Sequence, residues 1–547
     1  MCHNLLQGRT QNQPLLAVNT RFINLLLSVL LMTGLSRILV ATAAGQNFTT
    51  LYRFSLADAN GLNSDGRNPF GGLNISGSTL SGTTASGGYY GNGTVFIIDT
   101  NGTGFLSAHS FTASALDYNE SSPAYFAVTN GEGTFPQAGL TISGTALFGT
   151  TRNGGTNGSG TIFSLSQSAG VSTVHAFTPT VFIPGQTDTD YYTNYEGANP
   201  SCDLVVSGTT LYGVAQKGGY SSGTVFKMNT DGTGVTTLHS FSLLTSETIN
   251  RNGLVQYLET NTDGASPISG LVLSGDTLYG TTPDGGTAGD GTIFAVNTDG
   301  SGFTNIYNFQ GAPFDGQNPQ AKLLLSGQRL YGTCFFGGPN GNGSIFAIDT
   351  NGSNYMVLHF FSTGTNDQSF SPYNNHTYTN LDGANPAAGL IVNAGTLLGT
   401  TSEGGTAGNG TVFALNTDGA AFQVLHTFSY VNTNSGGVFT NSDGANPQAP
   451  LLSSGGVLYG TAAYGGLGDG TLFSLPLPGP PLHILRAGAN LIVSWATNQT
   501  GFVLQSATNL VSPVAWQSTS PAPAVFDGQY TVTNGISGTQ KFYRLSQ

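Results

Sequence analysis

Phe48-Thr-Thr-Leu-Tyr-Arg-Phe54 stands by itself near the head of the chain, yet it has the form and spacing of Phe303-Thr-Asn-Ile-Tyr-Asn-Phe309, the closing segment of a repeat. That repeat returns seven times. Its full pattern reads DG-x-NP, GL-x-x-SG, TLYGTT, GG, GT-V/I-F, NTDG, LHSF, and its copies begin near Asp65, Glu132, Glu196, Asp263, Asp315, Asp382 and Asp443. The seventh runs through Leu458-Tyr-Gly-Thr and Gly470-Thr-Leu-Phe, then stops at Pro476 without an LHSF segment. A stray final strand at one end and a repeat lacking it at the other predict a ring, in which the head of the chain completes the unit that its tail leaves short. An open stack would instead want polar capping repeats at both ends.

Each copy contains four stretches suited to strands. In the second they are Gly139-Leu-Thr-Ile-Ser143, Ala146-Leu-Phe-Gly-Thr-Thr151, Gly160-Thr-Ile-Phe-Ser-Leu165 and Val171-Ser-Thr-Val-His-Ala-Phe177, all rich in β-branched and aromatic residues and bounded by turn residues. No sustained 3.6-residue apolar spacing follows the leader, so helix is not expected. The Gly-Gly pairs and the Asn-Thr-Asp-Gly or Asp-Thr-Asn-Gly segments supply the positive φ values that tight hairpins demand. Four antiparallel strands joined by hairpins make a meander, the unit of a propeller blade, and a lone meander must stack on neighbours to bury both faces. The expected fold is therefore all-β, a seven-bladed β-propeller over 46–476 closed by its N-terminal strand.

The strand order resembles kelch repeats, although the kelch Trp is absent. The full motif string more closely resembles the GloVer tandem repeat of secreted bacterial proteins, over about 48–475. What that resemblance implies is a repeat architecture and an exported chain; it brings no activity with it.

Residues 1–44 read as an export signal. Arg9 and Arg21 precede the apolar run Phe22-Ile-Asn-Leu-Leu-Leu-Ser-Val-Leu-Leu-Met32, and Ala41-Thr-Ala43 offers small residues for cleavage. An uncleaved anchor is the competing reading, but the run is short for a membrane span and no later stretch could serve. Cys2 would leave with the leader. Cys202 and Cys334, in non-adjacent copies, are expected to be single buried thiols. After the repeats, Pro476-Leu-Pro-Gly-Pro-Pro481 forms a stiff linker, assigned to 477–481. Residues 482–547 then alternate around Trp495 and Trp516 as a small β-sandwich. That segment resembles the fibronectin-like modules, ending in Phe-Tyr-Arg-Leu, of secreted bacterial proteins, which implies a surface or sorting accessory.

Charged residues make up 7% of the chain and the formal charge is −13. Such a surface repels phosphate backbones and anionic lipid, so nucleic acid is a poor partner. The His of LHSF (His109, His175, His239, His359, His426) recurs at one repeat position, with Tyr52 and Tyr307 filling it in two copies. Equivalent positions on separate blades cannot converge on one metal, and Tyr substitutes there, so a packed ring with one hydrogen bond is expected. In DG-x-NP the set Asn63, Asp65, Asn68 offers oxygen donors of the kind calcium takes, but one carboxylate per site reads more simply as a turn. No G-x-S-x-G, HExxH, P-loop or CxxC is present. No cofactor, metal or catalytic set is assigned.

Only the segments between LHSF and the next DG-x-NP escape the repeat, and topology puts them on one face. Their aromatics beside Asp and Asn suit sugar binding: Asp188, Asp190, Tyr191, Tyr192, Tyr195, Tyr257, Tyr373 and Tyr378 are the candidate ligand contacts. The competing reading is that these rings merely seal the inserts onto the scaffold. The expectation is a secreted or surface-associated monomer, not an enzyme, that binds an extracellular polysaccharide or surface protein. A propeller lyase or glycosidase, for which Asp188, Asp190 and Glu196 are the first carboxylates to examine, and a purely structural matrix protein are the alternatives.

Overall fold

The computed structural model describes residues 47–546, apart from 119–125, 167–169, 184–190, 252–253, 368–376, 434–437, 479–481, 497–501, 510, 512–513, 527–528 and 536–540. The leader therefore lies outside the described residues. Among those residues every regular element is a strand, and the architecture is all-β and propeller-like.

The repeats fold as four-stranded antiparallel sheets in chain order. In the first, Asn74–Ser76, Thr79–Thr84, Thr94–Asp99 and Leu106–Ser110 lie side by side. The sheet of the last copy takes Leu452–Ser454, Val457–Ala462 and Thr471–Pro476, and its fourth strand is Thr49–Arg53 from the other end of the chain. Thr49 pairs with Ser474 and Arg53 with Thr471, with a register shift between Thr50 and Tyr52. The same shift falls just ahead of the LHSF His or Tyr in the six other repeat sheets. A bulge re-aims the side chains beside it, and the head strand carries that detail as faithfully as any internal copy.

Two phenylalanines per repeat build the core. The Phe of GT-V/I-F and the Phe of LHSF are fully buried in every copy. Each LHSF Phe packs edge-on against the GT-V/I-F Phe of the next sheet: Phe111 on Phe163, Phe177 on Phe226, Phe241 on Phe294, Phe309 on Phe346, Phe361 on Phe413 and Phe428 on Phe473. Phe54 makes the same contact with Phe96, so the sheet that joins the chain's ends meets the first sheet as the others meet their neighbours. The centroid separations, 5.2–5.7 Å, suit the ring quadrupoles. The Gly of TLYGTT exists for this packing. A β-carbon on Gly82, Gly149 or Gly460 would lie 2.4–2.7 Å from the tip of the paired Phe ring.

A backbone hydrogen bond repeats at each seam. The amide before the Pro of DG-x-NP donates to the preceding sheet: Asn199 to Ser159 O, Asn385 to Asn342 O, Asn446 to Asn409 O, and Asn68 to Asp469 O at 2.9 Å. That last bond again joins the first sheet to the seventh. The residue making it holds a left-handed φ of 55–59° in Asn68, Asn199, Asn318, Asn385 and Asn446, which asparagine tolerates better than most side chains.

Beyond the repeats, His483–Ala487, Asn490–Ala496, Gln529–Gly535 and Ala524–Phe526 form one sheet, and Gln517–Ser518, Val503–Ala507 and Phe542–Ser546 another. Val493, Trp495, Leu504 and Val532, from both sheets, share one buried cluster. Arg544 lies over the Trp516 ring at 4.4 Å.

Candidate functional site

The acidic residue that opens each repeat is a tie, not a ligand set. Its carboxylate accepts a hydrogen bond from the LHSF ring before it: His109 to Glu132, His175 to Glu196, His239 to Asp263, His359 to Asp382 and His426 to Asp443, at 2.9–3.1 Å. Tyr52 to Asp65 and Tyr307 to Asp315 repeat the bond with a hydroxyl. The expected single hydrogen bond per ring is found, and several of the rings also stack, His239 on Phe303 at 3.5 Å and His426 on Phe48 at 3.8 Å. The same carboxylates take the N–H two residues past the Phe-preceding Ser position, as in Ser242, Ser362 and Ser429, along with those serine hydroxyls. For Asp263, Asp382 and Asp443, burial alone would raise the carboxyl. The bonds from His, the Ser hydroxyl and the Ser N–H outweigh it and hold all three below the ordinary carboxylate range. Asp315, opposite a tyrosine, is raised by its burial.

The asparagine two residues earlier brackets two loops. Asn63 Oδ1 accepts from Gly66 N–H of the DG turn and from Gly88 N–H of the GG loop, and Asn130, Asn261, Asn380 and Asn441 do likewise. Asn63, one of the possible calcium donors in the sequence, here fastens backbone with its amide, as Asn380 and Asn441 do at the same repeat position. The DG glycine is crowded as well, for a β-carbon on Gly66 would overlap Thr84 Oγ1. The consequence is positional. DG turns, GG loops and the inserts that precede each DG turn all lie at one edge of the sheets, and Tyr430 of an insert donates to Thr406 O of a GG loop at 2.7 Å.

The inserts are not plain loops. Ala115–Tyr118 with Phe126–Thr129, Val181–Ile183 with Tyr191–Thr193, Thr245–Arg251 with Leu254–Thr260, Thr365–Asp367 with Thr377–Thr379, and Asn432–Thr433 with Phe439–Thr440 pair as two-stranded hairpins. Tyr191 and Tyr192 pair with Ile183 and Phe182, Tyr257 with Thr248, and Tyr378 with Asn366, so these four stand on three separate hairpins. Asp188, Asp190 and Tyr373 lie outside the described residues. Tyr195 is 87% exposed, and its carbonyl accepts the Thr237 hydroxyl. Glu196, considered for catalysis, is held by His175 and by Thr178 N–H.

Sequence reasoning missed part of the aromatic surface. Tyr89 (68% exposed), Tyr90 and Tyr220 follow GG pairs, and Phe336 precedes one; all are exposed, as is Phe314 of a connecting segment. The signal was legible. After the GG pair three other copies set Thr156, Thr287 and Thr406 and two set Pro339 and Leu467, so only Tyr89 and Tyr220 place an aromatic ring there, without any core to fill. Cys202 and Cys334 are free and buried, as expected, and burial pushes the Cys202 thiol up to about 12.

A family profile, the Gloeobacter/Verrucomicrobia repeat, matches residues 244–375. None of the curated proteins matches the chain. Among solved structures, an oligogalacturonate lyase in complex with manganese is 13% identical, covering 80% of this chain and 97% of that one, with a TM-score of 0.43. A nidogen/laminin complex is 17% identical over 58% of this chain and 84% of that one, with a TM-score of 0.31. TolB from Acinetobacter baumannii is 13% identical over 60% and 58%, with a TM-score of 0.31. These are likenesses of fold alone.

Proposed function

We propose that the chain, which matches the Gloeobacter/Verrucomicrobia repeat over residues 244–375, is an exported, closed seven-bladed β-propeller that binds an extracellular polysaccharide through one aromatic face. Closure is supported by the three contacts that recur at the seam between the chain's ends: the bulged strand pair, the Phe54–Phe96 contact and the Asn68 amide bond. The C-terminal pair of sheets is then a small β-sandwich accessory.

The observation that carries the binding reading is the set of exposed aromatics at turns that need none. Tyr89 and Tyr90 belong to the first sheet, Tyr220 to the third and Phe336 to the fifth, with Tyr195, Phe314 and Tyr430 in the connections between sheets. A tyrosine ring offers an apolar face to the C–H face of a pyranose, and the surrounding amides and hydroxyls bond sugar hydroxyls. Each contact is weak, and a polymer spanning several of them binds by multivalency. With 7% charged residues in the chain, the binding should depend little on salt.

Affinity electrophoresis through gels cast with single polysaccharides (xylan, mixed-linkage glucan, dextran, pectin) tests this. The protein is expected to be retarded by at least one polymer, with retardation insensitive to added salt. Tyr89→Ala/Tyr90→Ala/Tyr220→Ala should lose it while its circular dichroism and melting temperature stay unchanged. Mobility unaffected by every polymer, or equal retardation of the triple variant, refutes the proposal.

A further inference from the structure

One position of the repeat breaks its own rule in a place where a side chain has consequences. The residue before the Leu of GL-x-x-SG is Gly72, Gly139, Gly270 and Gly389 in four copies, but Asp203, Lys322 and Pro450 in the others. These residues enter the innermost strands, and they touch one another from sheet to sheet. A β-carbon on Gly72 would lie 3.0 Å from Pro450, one on Gly139 would lie 3.0 Å from Asp203 Oδ1, and one on Gly389 would lie 2.8 Å from Lys322 O. Five of them, Gly72, Gly139, Asp203, Lys322 and Pro450, line a cavity of about 350 Å³ together with Asn74 and Thr141. No described lining residue comes from an insert, so this is a different place from the aromatic face.

Two opposite charges share that cavity. Asp203 Cβ and Lys322 Cδ each lie within 3.2 Å of the point a β-carbon on Gly270 would occupy. Yet no ion pair joins them among the described residues. Asp203 Oδ1 accepts from Gly139 N–H at 2.7 Å, which fixes the carboxylate's direction and leaves its other oxygen free of that bond. Lys322 is one of few cations in a chain of formal charge −13. A fold that needs only glycine at this position gains no packing requirement for an ammonium.

We propose that the axial cavity binds a small amino-carboxylate zwitterion, its carboxylate on Lys322 Nζ and its ammonium on the Asp203 carboxylate. The neutral sum of the two side chains matches a ligand of zero net charge. A purely anionic ligand would meet the chain's overall negative field, and a purely cationic one would leave the ligand without a partner for Lys322. Charge-assisted hydrogen bonds in a partly enclosed site are the strong class and give the orientation.

Saturation-transfer NMR with the full protein tests this, using the free amino acids as one pool and their N-acetylated and amidated forms as two others. At least one free amino acid is expected to show saturable, competable transfer, and the capped forms none. Lys322→Met, which keeps the aliphatic stem, should weaken binding at least tenfold while leaving polysaccharide retardation and the melting curve unchanged; Asp203→Asn should weaken it similarly. No transfer from the free pool, equal transfer from a capped pool, or full binding by Lys322→Met overturns the assignment. Because polysaccharide retardation is read separately, failure here is distinguishable from failure of the aromatic face.

Discussion

Asp443→Asn isolates one tie of the repeat and reads its contribution as a function of pH. Asp443 is buried, with its carboxylate accepting from His426 Nε2 at 3.0 Å, from Ser429 N–H at 3.0 Å and from the Ser429 hydroxyl. Hydrogen bonds to a charged group contribute about 1.5–3 kcal/mol each. The amide keeps one acceptor and turns an NH2 toward groups that donate, so we expect a loss of about 3 kcal/mol near neutral pH. The sign of the pH dependence follows from the depressed carboxyl. The tie's stabilisation is fully present above the carboxylate's unfolded pKa and is lost as pH falls through its folded value. The gap between the two proteins should therefore be at full size near neutral pH and shrink in acid, as pH falls through a carboxyl value that lies below the ordinary range. Asp315→Asn is the control of opposite sign: with Asp315 raised in the fold, the wild-type protein gains on that variant as pH falls. Urea unfolding followed by far-UV circular dichroism suits the measurement, because both tryptophans, Trp495 and Trp516, lie outside the repeats and report a different part of the chain. An Asp443→Asn gap that stays constant from neutral pH into acid would refute the charge-based account of the tie.

Phe54→Ala should cost about 3–5 kcal/mol, the same as Phe241→Ala in mid-chain, because both rings are fully buried against the next sheet; urea midpoints compare them, and a cost under about 1 kcal/mol for Phe54→Ala alone would mean that the ends do not share a core. Phe135 holds a φ of 58° at the position where five copies have Asn. Phe135→Asn should relieve part of the roughly 1–2 kcal/mol that a left-handed residue costs and raise the melting temperature, whereas Phe135→Val should lower it.

Most of the scaffold could be read from the residues because the repeat states each constraint seven times. The four strands, the GG and DG-containing turns and the head strand's membership of the last sheet all follow from pattern and spacing. What could not be read was the use of particular polar groups. Asn63 and Asp65 present the same oxygens to a calcium ion or to neighbouring N–H groups, and only the folded turn fixes which. The hairpins of the inserts were not legible, although Tyr191-Tyr-Thr and Val181-Phe-Ile are good strand formers; short stretches without a repeated partner give no register from which to infer a hairpin. That Asp203 and Lys322 line one cavity was equally out of reach, since which side chains meet between sheets depends on how the sheets pack.

A closed propeller requires that Thr49–Arg53 and Thr471–Pro476 share one sheet. Thr49 and Ser474 stand opposite each other on adjacent antiparallel strands, a spacing that a disulfide can bridge, while two of the three native cysteines, Cys202 and Cys334, are buried, and Cys2 is replaced by Ser for the test. Oxidation of the Thr49→Cys/Ser474→Cys protein in its folded state, read on a non-reducing denaturing gel, is the direct measurement. The account predicts a rapid, near-complete intramolecular cross-link that speeds migration and is reversed by reductant, and that fails to form when the chain is unfolded in urea first. Free thiols at both positions in the folded protein, or cross-links only between molecules, would contradict it.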